Sequence, residues 1–217
     1  MSATSGLVLE RVALRLGGRR LLGPLDLTVE PGRVAVLMGP SGSGKSSLLA
    51  FLCGTLDPAF VVEGSAWLGG RALAPLPPER RRIGILFQDD LLFPHLSVGE
   101  NLAFGLPSGL RGAERRARIE AALADAGLQG FAGRDPATLS GGQRARAALL
   151  RTLLSEPAAL LLDEPFSKLD ADLRARFRAF VFDHARRQRL PTLLVTHDPA
   201  DAVEADGPCL TLDAAGD

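Results

Sequence analysis

The chain has 217 residues, 46% of them apolar, and a formal net charge of zero. That length suits one α/β domain with a sizeable core, and the charge balance argues against nucleic acid or an anionic membrane surface as a partner. Of the 25 basic residues 23 are arginine, spread among 25 acids; two cysteines imply no disulfide framework, and no apolar stretch reaches the roughly 18 residues of a bilayer span.

Met1-Ser2-Ala3-Thr4-Ser5 has no basic run leading into an apolar core, so no signal peptide is expected, and the protein should be soluble and cytosolic. Residues 7 to 16 alternate well enough for a strand or a bent pair, Gly17-Gly18-Arg19-Arg20 reads as a hairpin turn, and residues 25 to 29 alternate cleanly. Glu30-Pro31-Gly32-Arg33 turns the chain into the apolar run 34 to 38, a buried strand.

That strand runs into Gly39-Pro40-Ser41-Gly42-Ser43-Gly44-Lys45-Ser46-Ser47, which fits G-x-x-x-x-G-K-[ST], and residues 45 to 52 read as a helix. The chemistry needs these residue types. Glycines let the backbone curl so that its N–H groups point at a phosphate, and the helix start adds its unpaired N–H groups and the positive end of its dipole. Lys45 supplies a point charge for the β- and γ-phosphates, and the Ser46 hydroxyl is a ligand for Mg²⁺. ATP and Mg²⁺ are the expected cofactors.

Further on, residues 65 to 68 read as a short strand, Gly69-Gly70 as a turn, and 74 to 78 as a proline-rich stretch leading to Arg80-Arg81-Arg82, a solvated helix end or loop. Residues 83 to 87 form the next buried strand, with Gln88 at its end. Residues 89 to 140 change texture: a loop over 91 to 96, a helix capped by Ser97 with Glu100 three residues on, and an amphipathic helix over about 113 to 126 predict an inserted helical lobe. A helix follows from Gly141 to about Ser155, then strand 159 to 162, helix 171 to 188, strand 192 to 195 and helix 199 to 205. Cys53 and Cys209 read as small core fillers, the second in a C-terminal strand. The fold class is therefore α/β, a P-loop NTPase core with a mostly parallel sheet, an N-terminal antiparallel β-layer and an inserted helical subdomain. The core takes 1–88 and 141–217 of a single domain, the lobe 89–140.

Strand 159 to 162 ends in Asp163-Glu164. In a P-loop enzyme such a strand brings an acid to the metal, so Asp163 is assigned to Mg²⁺ and Glu164 to polarising the attacking water. Leu139-Ser140-Gly141-Gly142-Gln143 precedes that strand and resembles the signature of the ATP-binding-cassette (ABC) ATPases. Gln88, Ser167-Lys168-Leu169-Asp170 and His197 stand in that family's order, so the resemblance covers residues 7 to about 205.

The resemblance implies a head-to-tail dimer of two copies, in which Ser140, Gly141, Gly142 and Gln143 of one copy close on the γ-phosphate held by the other. It implies that His197 contacts that phosphate, that Gln88 reaches Mg²⁺ and the water, and that Asp170 links the two sites. The family stacks adenine on an aromatic residue at the place of Leu16, and the chain has no tyrosine, so weaker binding and looser base selectivity are expected, with Arg19 or Arg20 as substitute platforms. The stretch from Leu91 to Asn101 resembles importer-type ATPases, whose lobe receives a coupling helix from an integral membrane permease, with Phe93 and Leu96 either lining that groove or filling the lobe core. Asp163-Glu164-Pro165-Phe166-Ser167-Lys168-Leu169-Asp170 is similar to importers of thiamine, iron, sulfate and polyamines, many of which carry a further C-terminal β-domain not expected here. A periplasmic or surface solute-binding protein would complete such an importer, and this subunit would lie on the inner face of the membrane. The alternatives are a soluble ABC-type ATPase acting on a ribosome or nucleic acid, and a non-catalytic nucleotide sensor.

Overall fold

The computed structural model describes residues 6–205 and 207–212; the N-terminal pentapeptide read for a leader lies outside them. The fold is α/β, as the sequence pattern predicts. Two sheets carry it: an antiparallel one of β1 (Leu7–Leu16), β2 (Arg19–Val29), β4 (Phe60–Leu68) and β5 (Arg71–Ala72), in the order β2-β1-β4-β5, and a second of β3 (Val34–Met38), β6 (Ile83–Leu86), β7 (Ala159–Asp163), β8 (Thr192–Val195) and β9 (Cys209–Thr211), in the order β6-β7-β8-β3-β9. The β3–β8, β7–β8 and β3–β9 pairs are parallel. Runs such as Ala159-Leu160-Leu161-Leu162 are buried throughout, which is why these strands read as unbroken apolar stretches.

The chain divides into two compact units. The first takes the chain through Ile85, then Ala158–Glu164, then everything from Phe182 onward; the second takes Leu86–Pro157 and Pro165–Val181. In the first unit α1 (Lys45–Cys53) shares one core with both sheets, where Leu48, Leu49 and Leu52 pack with Leu7, Leu14, Leu37, Leu161 and Leu193. α2 (Pro78–Arg81), α7 (Pro199–Ala205) and the C-terminal end of α6 (Ala171–Arg187) complete it.

Five sequence expectations are corrected here. The hairpin turn is only Gly17-Gly18, both at positive φ, so Arg19 and Arg20 already belong to β2. β2 is also longer than residues 25 to 29, because Gly23-Pro24 lies at a register shift rather than a strand end, with Gly23 against the backbone of Val12. β4 likewise begins at Phe60, not 65, since Gly64 lies inside the strand, opposite a bulge of β1 and against the carbonyls of Glu10 and Arg11. Arg81 is 8% exposed rather than solvated: its guanidinium donates to the carbonyls of Phe51, Leu52 and Leu76, satisfying the end of α1. Cys53 is half-buried, its thiol pushed up to about 11 by burial, with Arg81 acting the other way, whereas Cys209 is exposed, not a core filler.

The second unit holds α3 (Val98–Gly105), α4 (Gly112–Asp125), α5 (Gly141–Leu153), a 3₁₀ turn (Pro136–Thr138) and most of α6. The capping box predicted at Ser97 and Glu100 is present in both directions. Val98, Leu102, Ile119, Leu123, Leu139, Ala147 and Leu150 form its core. Phe93 and Leu96 are half-buried, and Phe104 is 70% exposed, its ring tilted against that of Phe93 with centroids 4.9 Å apart.

Candidate functional site

The first unit gathers its candidate site residues at the C-terminal ends of three neighbouring parallel strands. Leu37, Val195 and Asp163 stand level with one another across β3, β8 and β7. The glycine-rich loop therefore leaves β3, His197 follows β8, and Asp163-Glu164 ends β7, all at one edge of the sheet, where open α/β sheets bind ligands.

Within the loop, Gly42 and Gly44 lie at φ 82° and 85°, conformations an L side chain rarely takes. The Lys45 ammonium donates to the Gly39 and Pro40 carbonyls, each at 2.7 Å, and to Ser43 Oγ at 3.5 Å, which holds the charge over the loop's concave side. Ser41 and Gly42 are exposed at the loop's crest, Ser47 is half-buried in the first turn of α1, and Ser46 donates to the Asp163 carboxylate.

Burial raises the Asp163 carboxyl above the usual carboxylate range; the Ser46 hydrogen bond pulls it down, the Glu164 charge pushes it up and Lys45 pulls it down again. A hydroxyl and a carboxylate oxygen brought together beside a phosphate cradle fit Mg²⁺, which takes oxygen ligands and keeps water and substrate phosphates in its shell. Among the described residues no group of three or more His, Cys, Asp or Glu could hold a metal without such help.

Glu164 takes φ 46°, a left-handed conformation that costs a non-glycine residue about 1–2 kcal/mol. Its N–H donates to the Val195 carbonyl at 2.9 Å, and its Oε2 lies 3.1 Å from His197 Nδ1. The strained turn carries the carboxylate off β7 toward the His197 side chain, and strain of this kind concentrates at functional sites. Sequence reasoning named both residues and missed their direct contact.

Leu16 is 40% exposed at the last rung of β1, paired with Arg19 on one side and Phe60 on the other. Directly paired residues share a face. Arg20 pairs with Arg15, one residue along β1 from Leu16, so Arg20 belongs to the opposite face and is no platform beside Leu16. Arg19 and Phe60 stand beside it.

Gln88, Ser140, Gly141, Gly142, Gln143 and Asp170 belong to the second unit. Ser140 and Gly141 are exposed, Gln143 is half-buried and Gly142 is buried. Ser140 Oγ accepts from the Gln143 N–H at 3.3 Å while the Gln143 side chain accepts from the Ser140 N–H at 2.9 Å, a second capping box, so the helix start is presented by its own side chains. Asp170 caps α6 by accepting from the Leu173 N–H at 2.9 Å. Gln88 borders a cavity of about 210 Å³ shared with Asp89, Asp90, Arg144 and Lys168. There Arg144 pairs with Asp90 at 2.9 Å and Lys168 with Asp89.

A family model described as ABC transporter matches residues 22–167. Over 206 residues the chain is 50% identical to an uncharacterized ABC transporter ATP-binding protein, YnjD, of Escherichia coli strain K12, covering 95% of this chain and 94% of that protein. It is 46% identical to the thiamine import ATP-binding protein ThiQ of Cereibacter sphaeroides, covering 89% and 82%. Against the Fe(3+) ions import ATP-binding protein FbpC 1 of Rhizobium meliloti it is 41% identical, covering 93% of this chain but only 56% of that protein. Among solved structures, the dimeric structure of MJ0796, a bacterial ABC transporter cassette, superposes with a TM-score of 0.79 at 29% identity, covering 95% of this chain and 94% of that one.

Proposed function

The chain belongs to the ABC transporter family, and from that premise we propose that it drives a solute importer as a head-to-tail pair beneath an integral membrane permease. As an ABC ATP-binding subunit it binds ATP and is an ATPase coupled to transport. The importer assignment draws support from the thiamine and iron import relatives, and the pairing from the dimeric cassette it resembles. A periplasmic or surface solute-binding protein would deliver the cargo, and the subunit would sit at the inner face of the membrane, held there by its permease; no helix among the described residues is long and apolar enough to cross a membrane.

One observation carries the catalytic part: Lys45, Ser46, Asp163, Glu164 and His197 converge at one sheet edge, with Glu164 held against His197. The loop N–H groups and Lys45 bind the β- and γ-phosphates. Ser46 and Asp163 would hold Mg²⁺, with Gln88 reaching toward it, and the ion would neutralise charge developing on the phosphates. Glu164 accepts the proton of the attacking water, and the His197 ring, anchored through Nδ1, turns its Nε2 to the γ-phosphate. Ser140, Gly141 and Gly142 of a second copy would close the site with a helix N-terminus, whose N–H groups favour anions, with Gln143 bracing that tip and Asp170 signalling between the two sites. The surface proposed for the permease is exposed Leu91 and Phe104, with half-buried Phe93 packed against Phe104.

Phosphate release by the purified protein tests this. Glu164→Gln is expected to lower kcat about 10²- to 10⁴-fold with ATP affinity retained; turnover at the starting rate would remove Glu164 from the role of base.

A further inference from the structure

The turn that presents His197 is built on a buried carboxylate for which the reading above has no use. Asp201, in the first turn of α7, is 2% exposed, and its Oδ2 accepts a 2.6 Å hydrogen bond from Thr196 Oγ1, itself buried. The same hydroxyl oxygen accepts from the Asp198 N–H at 3.1 Å. Thr196 thus uses its donor on Asp201 and a lone pair on Asp198, bracketing His197 from both sides. Asp201 N–H donates back to the Asp198 carbonyl at 3.1 Å, and the Asp198 carboxylate caps the Ala200 N–H at 2.9 Å.

The bracket is tied to both halves of the catalytic edge. Thr196 N–H donates to the Leu37 carbonyl at 3.3 Å, on the strand that feeds the phosphate loop, and the Val195 carbonyl accepts from the Glu164 N–H. A carboxylate in the interior is costly unless its hydrogen bonds are directed and satisfied. Here the directed bond ends one residue from the ring that meets Glu164 Oε2 at 3.1 Å.

We propose that Asp201 is a positioning residue for ATP hydrolysis: through Thr196 it sets the turn that holds the His197 ring against Glu164. Asp201, buried behind the turn, acts by way of His197. The inference rests on the assignment of His197 and Glu164 to the hydrolytic step.

Steady-state ATPase measurements with purified protein test it, with melting temperature and the dissociation constant of a fluorescent ATP analogue measured alongside. Asp201→Ala and the near-isosteric Thr196→Val are each expected to lower kcat about 10- to 100-fold, the scale of a misplaced catalytic group, with the KM for ATP within about twofold of the starting value. Thr196→Ser, which keeps the hydroxyl, should restore most of what Thr196→Val loses. In a His197→Ala background, adding Asp201→Ala should cost nothing more. Unchanged kcat in both Asp201→Ala and Thr196→Val overturns the inference, and so does a full further loss on top of His197→Ala, which marks a merely structural role. If Asp201→Ala does not fold, the Thr196→Val and Thr196→Ser pair carries the test. Should His197→Ala itself leave kcat unchanged, the parent assignment fails and takes the inference with it; a loss in His197→Ala without one in Asp201→Ala or Thr196→Val defeats the inference alone.

Discussion

Two helices in this chain begin in glycine-rich tips, and they use glycine for opposite reasons. At the start of α1, Gly42 lies at φ 82° with nothing within 4 Å of where a Cβ would stand, so backbone conformation alone demands glycine. At the start of α5 the backbone is ordinary helix, but a Cβ on Gly142 would stand 2.1 Å from the Leu173 side chain, so space demands glycine. The first tip is a cradle shaped by its own dihedrals and filled by Lys45. The second is shaped by the side chains of Ser140 and Gln143 and by what packs behind it, and it stays exposed at Ser140 and Gly141. A preformed cradle suits tight capture of a ligand, and an open capped tip suits a surface that meets a second copy.

Substitutions break the comparison at graded strength. Gly42→Ala imposes a left-handed backbone on alanine with open space around its Cβ. That strain of about 1–2 kcal/mol should weaken ATP binding about 5- to 30-fold by calorimetry, and unchanged affinity would mean the cradle is not shaped by its dihedrals. Gly142→Ala should leave ATP affinity of the single chain within about twofold yet lower ATPase turnover at least about 10-fold. Because only space is at stake, the double variant Gly142→Ala with Leu173→Ala should recover part of that loss; no recovery would mean Leu173 is not the obstacle. Leu16→Tyr should tighten ATP by about 5-fold, the low end of a base–aromatic stack worth roughly 1–3 kcal/mol, with a smaller gain for nucleotides of weaker stacking. No tightening would dismiss the stacking argument.

Much of the fold was legible because it rests on runs with a single reading. Residues 34 to 38, 159 to 162 and 193 to 195 are apolar without a break because each run lies in a buried strand, and the glycine spacing before Lys45 has few other uses. What stayed hidden depends on what approaches from elsewhere in the chain. Gly23-Pro24 and Gly64 look like strand ends, but they mark places where another backbone comes close inside a continuing strand. Arg81 looks like one of three solvated arginines until the C-terminal carbonyls of α1 are seen to need its donors. Nothing near Asp201 distinguishes it from an exposed acid in a first helical turn, since its burial comes from tertiary packing. The Glu164–His197 contact spans 33 residues of sequence and follows from the β7–β8 pairing.

The central claim is that the capped tip of one copy completes the cradle of another. Sedimentation of Glu164→Gln with Mg²⁺ and ATP tests it directly. The account predicts a dimer that forms only with nucleotide and is lost when Gly142→Ala is added to the same variant. A protein that stays monomeric at saturating ATP, or a dimer indifferent to Gly142→Ala, would contradict it.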